Sequence, residues 1–288
     1  MIKDTALVLE GGGFRGIFTA GVLEVFLEKR LFFESVYGVS AGASYGASYV
    51  SEQIGRNIAV NEFIGDKRYC GFGNLLRERS LFSWRFILEE IPQNIIPFDY
   101  NALKKSNSKF FVGTSNCQTG ESEYFLLNEA DKTNFRVILS ASCSLPFISP
   151  IVQFDGKQLL DGGLSDSIPF DYALSQGHKR AVVVLTQPRG YLKEPLKLKA
   201  LPKLFYRKYP KVYEMLLSRA ERYNESVRRL EQLEKEGTVY VIRPDEKLLV
   251  SRLENKPRKT AMVYASAMNL TRNRFEDLKQ WLDKTGTI

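Results

Sequence analysis

Residues 38–42 read Gly-Val-Ser-Ala-Gly, between a strand-like apolar run, Phe33 to Val39, and a helix-like segment. That spacing places Ser40 on a strand-to-helix turn, where a hydroxyl is pushed out of the backbone and offered to a substrate. Gly38 and Gly42 suit so crowded a turn, because a Cβ at either position would obstruct it. The chemistry of a serine held in this way is nucleophilic acyl transfer. A second pattern opens the chain: Gly11-Gly12-Gly13-Phe14-Arg15-Gly16, between strand-like Ala6 to Glu10 and a helix-like segment from Ile17 to about Arg30. Glycines let backbone N–H groups converge on one point, and the following helix N-terminus adds its positive dipole end. Such a nest suits either a phosphate or the oxyanion of a tetrahedral intermediate. The third pattern is Asp161-Gly162-Gly163, directly after strand-like Lys157 to Leu160. It puts a carboxylate at a strand end that another loop can approach closely.

Together and in this order the three patterns resemble the patatin-like phospholipase family. Its hallmarks are an N-terminal Gly-Gly-Gly-x-Arg-Gly oxyanion loop, a Gly-x-Ser-x-Gly nucleophile turn and an Asp-Gly-Gly. The small-residue segment Ser140-Ala141-Ser142-Cys143-Ser144-Leu145-Pro146 adds to the match, which covers roughly residues 5–187. The resemblance implies an α/β fold, a patatin-like sandwich whose mostly parallel central sheet is covered by helices. It implies hydrolysis of lipid acyl esters, of the phospholipase A, lysophospholipase or esterase type, without metal or organic cofactor. Ser40 and Asp161 would be the catalytic residues and Gly11, Gly12 and Gly13 the oxyanion loop, with donors expected at Gly12 and Gly13. Arg15, Gly16, Gly38, Gly42, Gly162 and Gly163 would support the motifs. The chain departs from the family at Ser167, where many members have Asn, and no role is assigned there.

A serine hydroxyl needs a base within hydrogen-bond reach. The usual base is histidine, and the chain has one, His178. Ser40, Asp161 and His178 even follow the chain order of an α/β-hydrolase triad. However, His178 precedes a strand, Ala181 to Thr186, whereas Ser40 and Asp161 end theirs. Open α/β sheets place their sites at the C-terminal ends of strands. His178 is therefore expected on the opposite edge, as a surface residue in a turn, and Asp161 is left to take the serine proton directly. Asp166 is a weaker alternative without flanking glycines; Asp155 fits a turn and Asp171 a helix start. Cys143 has no histidine partner, and packing explains it. Arg15 orients the loop, attracts an anionic headgroup or caps local carbonyls.

One rival reading is a dinucleotide-binding module, since Gly11-x-Gly13-x-x-Gly16 also fits the Rossmann fingerprint. That fingerprint wants an acid at the end of the second strand, and here the strand ends in Val39-Ser40. The other rival is a non-catalytic lipid-binding relative, against which the intact Ser40 and Asp161 argue.

The elements expected to position these residues alternate: strand 5–10, helix 16–30, strand 34–39, helix 42–55. Such alternation argues a parallel sheet covered on both faces. Residues 57–105 read as a mostly helical cap interrupted at Pro92 and Pro97. Phe72, Phe82, Trp84, Phe86 and Phe98 within it are expected mainly as core, with an acyl-chain channel as the alternative. A hairpin (109–116 with 123–127), a short helix (133–141), a hairpin around Asp155-Gly156, a helix (169–176) and a buried strand (181–186) follow. Residues 1–190 form the catalytic domain in this reading. Residues 191–288 are a helical C-terminal extension on the same domain, with one strand (238–243) after a long helix (211–235).

The chain is 288 residues long with a net charge of +8. Met1-Ile2-Lys3-Asp4 leads straight into a strand, and no run reaches the roughly 18 apolar residues of a membrane span. Three dispersed cysteines give no disulfide or metal pattern, so a cytoplasmic protein, peripheral to the membrane at most, is expected. Between Arg189 and Lys211 eight basic residues face one acid, Glu194, interleaved with Leu201, Leu204, Phe205, Tyr206 and Tyr209. That mixture suits an anionic bilayer surface or equally a solvated linker. No motif for nucleic acid accompanies the charge, and none is expected as a partner.

Overall fold

The strands Thr5–Leu9 (β1) and Ser35–Val39 (β2) are buried along their whole length, as continuous apolar runs between two covering layers should be. They sit in one sheet with β3 (Lys109–Asn116), β4 (Ser122–Leu126), β5 (Val152–Phe154), β6 (Lys157–Asp161), β7 (Arg180–Val184) and β8 (Val239–Ile242). The computed structural model describes residues 1–198 and 200–284. Strand order is β5-β6-β3-β2-β1-β7-β8, with β4 paired to β3. From β3 to β8 the neighbours run parallel, whereas β4, β5 and β6 pair antiparallel.

The helices are α1 (Ile17–Glu28), α2 (Ala41–Val50), α3 (Arg56–Asn61), α4 (Phe72–Glu78), α5 (Tyr100–Lys105), α6 (Lys132–Ser142), α7 (Phe170–Ser175), α8 (Ala200–Phe205), α9 (Pro210–Lys235), α10 (Pro257–Asn273) and α11 (Phe275–Asp283). Strand alternation splits the core into two layers. Leu7, Leu9, Val36, Val182 and Val184 join the cluster built with α1, α2, α6 and α10. Ala6, Val8, Tyr37, Ala181 and Val183 face α7 and α9. Each fully buried Leu, Val or Phe contributes roughly 1.5–3 kcal/mol, so these layers fix the sheet rigidly beneath the loops at its edge. The C-terminal segment is part of this body: β8 extends the sheet beside β7, and Tyr264 and Ala267 of α10 enter the α1 layer. Pro92 does not interrupt the cap as expected. It lies inside a wide π-type helix, Phe86–Ile95, whose longer turn leaves room for the proline ring.

One feature of the register decides the site. Residues 111–113 of β3 pair with both β2 and β4, so those two strands flank β3 on opposite sides. Thr114 and Ser115 pair with both β4 and β6, so β6 lies on the β2 side. β2 ends at Val39 opposite Gly113, and β6, running the other way, ends at Asp161 opposite Thr114. The two strands therefore meet end to end along one edge of β3, and the residues at their tips are forced together.

Candidate active site

Ser40 alone joins β2 to α2, and the sharp reversal sets its backbone at φ 54°, ψ −120°. A non-glycine residue is strained there and persists only because its surroundings hold it. One holding contact is Gly42, where a Cβ would lie 2.4 Å from the Leu9 carbonyl oxygen. Another is Ser142, whose Oγ accepts the Ser40 N–H at 2.9 Å and donates to the Gly113 carbonyl at 2.7 Å. Thus the end of α6 locks the turn onto β3.

Asp161 arrives from the other direction. A Cβ on Gly162 would lie 2.4 Å from the Gly113 carbonyl oxygen, so only glycine lets β6 end so near β2. The Asp161 N–H donates to the Ser144 carbonyl at 2.8 Å, and its carbonyl accepts from Ser115 Oγ at 2.8 Å. Its Oδ1 accepts the Gly163 N–H at 2.8 Å, and its Oδ2 accepts the Ser40 hydroxyl at 2.6 Å. Both side chains are buried. Burial pushes the Asp161 carboxyl above the usual carboxylate range, against the downward pull of the Ser40 bond, Arg219 and the Gly163 amide. A carboxylate with a raised pKa is the better proton acceptor.

The glycine loop lies directly against the serine. The Gly11 N–H donates to the Ser167 carbonyl at 3.2 Å, and the Phe14 N–H to the Arg252 carbonyl at 3.2 Å. Between them the N–H groups of Gly12 and Gly13 have no acceptor among the described residues. Gly11 is thus fastened, whereas the two amides that follow it are left free. Ser167, to which the sequence assigned no role, holds the loop and also donates through Oγ to the Gly163 carbonyl at 3.0 Å. Arg15 is turned inward. With the Gln187 amide oxygen oriented toward it, Nη1 and Nη2 donate to that oxygen at 3.0 and 3.2 Å. Gly16 packs against Ala41 and Tyr45 of α2.

An apolar cavity of about 140 Å³ opens at Ser40. Its lining includes Gly13, Tyr45, Phe82, Trp84, Phe98 and Arg56. Three of the five cap aromatics therefore line this cavity, although Phe98 also belongs to the core. Phe86 is core and Phe72 is exposed. Cys143 also lines the cavity, but burial pushes its thiol up to about 12, so it is protonated at neutral pH. Asp166 is engaged elsewhere, accepting from Tyr124 Oη at 2.7 Å and the Ile168 N–H at 3.1 Å. His178 lies away from Ser40, at the start of β7. It is half-buried rather than on the surface, its Nε2 3.1 Å from Tyr37 Oη and its ring edge-on to the Tyr37 ring.

Residues beyond 190 also reach this site. Arg219 of α9 donates from Nε to the Gly163 carbonyl at 2.7 Å. Tyr223 Oη donates to Glu10 at 2.8 Å. Sequence reading noted Ser142 only as part of a small-residue segment and Ser167 only as a departure, and it missed Arg219 and Arg252, because their roles depend on partners distant in sequence.

The chain is 33% identical over 195 residues to the uncharacterized protein YjjU of Escherichia coli (strain K12), covering 64% of this chain and 52% of that one. It thus spans about half the length of the curated relative it matches. The crystal structure of VipD from Legionella pneumophila superposes with a TM-score of 0.48 at 14% identity, over 97% of this chain and 66% of that one. Residues 209–283 match a domain of unknown function (DUF6363). Residues 7–174, which hold all three glycine-flanked motifs, match the patatin-like phospholipase family, and the chain belongs to that family.

Proposed function

We propose that the chain hydrolyses lipid acyl esters through a Ser40 acyl-enzyme, with Asp161 as the only base. The observation that carries this reading is the 2.6 Å bond from the Ser40 hydroxyl to Asp161 Oδ2 at the mouth of an apolar cavity. With the acyl chain in that cavity, Ser40 Oγ attacks the ester carbonyl carbon while its proton passes to Oδ2. The carbonyl oxygen becomes an oxyanion facing the Gly12 and Gly13 N–H groups, the largest expected source of rate in such a site. Collapse breaks the bond to the alcohol, which takes the proton from Asp161. Water then repeats the sequence on the acyl-enzyme: Asp161 accepts its proton, and the fatty acid leaves as Ser40 recovers its own. The dinucleotide reading is disfavoured because Ser40 occupies the strand end where an acid would be needed to hold a ribose.

The test is labelling with a fluorophosphonate probe, followed by intact mass. A single adduct on the folded chain, absent from Ser40→Ala, is the expected result. A folded wild type that takes no adduct would instead favour the non-catalytic, lipid-binding reading.

Peripheral contact with an anionic bilayer belongs to the same proposal. Among the described residues no helix is long and apolar enough to cross a membrane. Arg189, Lys197 and Lys211 are committed to ion pairs with Glu234, Glu194 and Glu214, and Lys199 lies outside the described residues. Exposed Leu201, Leu204 and Phe205 of α8 remain, beside exposed Lys203, Arg207 and Lys208, and Phe205 meets the exposed Phe147 edge-on. An apolar rim with basic neighbours inserts shallowly and gains roughly 1 kcal/mol per nearby cation. Co-sedimentation with vesicles should be stronger with anionic than with neutral lipid and weakened by Leu204→Ser. Equal, weak binding to both vesicle types would identify a solvated linker.

A further inference from the structure

Beside the dyad, on the α9 face of the sheet, lies a concentration of positive charge that the hydrolytic chemistry leaves unused. Lys193 comes from the strap after β7, Arg219 from α9 and Arg252 from the loop after β8. Each is anchored by its backbone or by one bond. Asn224 of α9 clamps Lys193, accepting its N–H at 2.8 Å and donating to its carbonyl at 3.0 Å. The Lys193 ammonium then lies 3.7 Å from the Tyr223 ring centroid. Arg219 Nη2 sits 3.3 Å from the place a Cβ on Gly163 would occupy, two residues from Asp161. Arg252 is tied to the glycine loop through its carbonyl.

Among the described residues none of the three makes an ion pair within 4.0 Å. The carboxylates nearest them are already used, Glu10 by Thr186 and Tyr223 and Asp161 by Ser40 and Gly163. The Arg15 guanidinium adds a fourth cation, held by Gln187 and with a buried Nε that has no partner. These basic groups are half-buried and crowd one another, with only the already engaged Glu10 and Asp161 opposing them. Crowding like charges away from water costs free energy, and an incoming anion would relieve that cost.

We propose that Lys193, Arg219 and Arg252 form a receptor for a phosphate group. Resting on the hydrolase reading, the natural source is a phosphate carried near the scissile ester, with the acyl chain on the α2 and α6 face of Ser40 and the phosphate on the α9 face. Free phosphate is the other source of the same chemistry. The electrostatics agree with the geometry. Burial, aided by Arg219, Arg252 and Arg15 and opposed by Glu10, lowers Lys193 to about 6. Burial and Arg252 likewise lower Arg219 to about 10, with Asp161, Tyr191 and Arg15 also facing it. A bound anion would raise both, so binding near pH 7.5 should draw a proton onto Lys193.

The test uses the full chain and two esters with one acyl chain, a monoacylglycerol and its 3-phosphate. The wild type should favour the phosphate ester in kcat/KM, and Lys193→Gln and Arg252→Gln should each lower the ratio of the two values about tenfold, the usual weight of a charge-assisted hydrogen bond. Titration calorimetry with inorganic phosphate, in two buffers of different ionisation heat, should show binding with proton uptake that Lys193→Gln loses. A ratio that stays put while Lys193-dependent phosphate binding is seen would assign the receptor to free phosphate. An unmoved ratio without such binding would overturn the proposal. Failure of the hydrolase reading is separate: neither ester would turn over and Ser40 would take no adduct, leaving the titration to decide the receptor alone.

Discussion

Asp161→Asn should abolish ester turnover, by about 10⁴-fold on the scale of other base removals, while leaving the melting temperature at pH 7 unchanged or higher. The activity half follows from bond direction. Oδ1 accepts the Gly163 N–H and Oδ2 accepts the Ser40 hydroxyl. An asparagine keeps its oxygen on the Gly163 amide and turns its NH₂ toward Ser40, so the serine oxygen becomes the acceptor and its proton has nowhere to go. The stability half follows from burial. Because the folded carboxyl titrates above its ordinary value, its contribution to stability is present below the unfolded pKa and lost as pH rises through the folded one. At neutral pH the ionised form is therefore a net cost, and the uncharged amide escapes it. The wild-type acid limb of kcat/KM should accordingly lie above the ordinary aspartate range, because only the ionised form accepts a proton. His178→Ala is the control, expected to keep turnover near wild type because that ring serves Tyr37. Turnover and thermal denaturation of the two variants side by side decide it. An active Asp161→Asn, or an inactive but folded His178→Ala, would refute the dyad.

The Ser40–Asp161 pair is easy to name from sequence and hard to place. Ser40 and Asp161 were legible because each needs glycine neighbours to let strand ends approach, and glycine spacing is a local signal. Strands β1, β2 and β7 were legible because they are buried on both faces and are dominated by apolar residues. What no local pattern carries is that β2 and β6 end head to head on one edge of β3. That meeting depends on register between segments more than a hundred residues apart in sequence. Ser142 and Ser167 were invisible for the same reason: a serine in a small-residue run looks like packing until its distant partner is known. The cap aromatics show a different limit. Phe82 and Trp84 line the cavity, Phe98 lines it and is also core, Phe86 is core and Phe72 exposed, and composition cannot distinguish a cavity wall from a core. The C-terminal segment gave the least away, since the charges of Arg219 and Arg252 read as ordinary solvated ones until α9 and the loop after β8 are folded against the glycine motifs.

The glycine loop makes the second large prediction. Gly13→Ala should lower kcat by about 10²–10³-fold, the usual weight of one oxyanion donor, with a smaller effect on KM for a short-chain ester. Two constraints act on this position. Its φ of +59° lies in the left-handed region, where a Cβ costs roughly 1–2 kcal/mol. That Cβ would also lie 2.7 Å from the Arg252 carbonyl oxygen, which is backbone and cannot swing aside as a flexible side chain could. The same carbonyl accepts the Phe14 N–H, so relieving the clash means moving the loop away from the C-terminal segment. Either adjustment rotates the Gly13 N–H, and a donor matters only if it points where the oxyanion forms. Gly73→Ala is the matched comparison. It lies in α4, where a Cβ would meet nothing within 4 Å, and it should leave kcat unchanged while holding or slightly raising stability. If Gly13→Ala turned over at the wild-type rate, the oxyanion would have to be held elsewhere, and the Gly12 amide, backed by Thr186, would be the remaining donor of the pair.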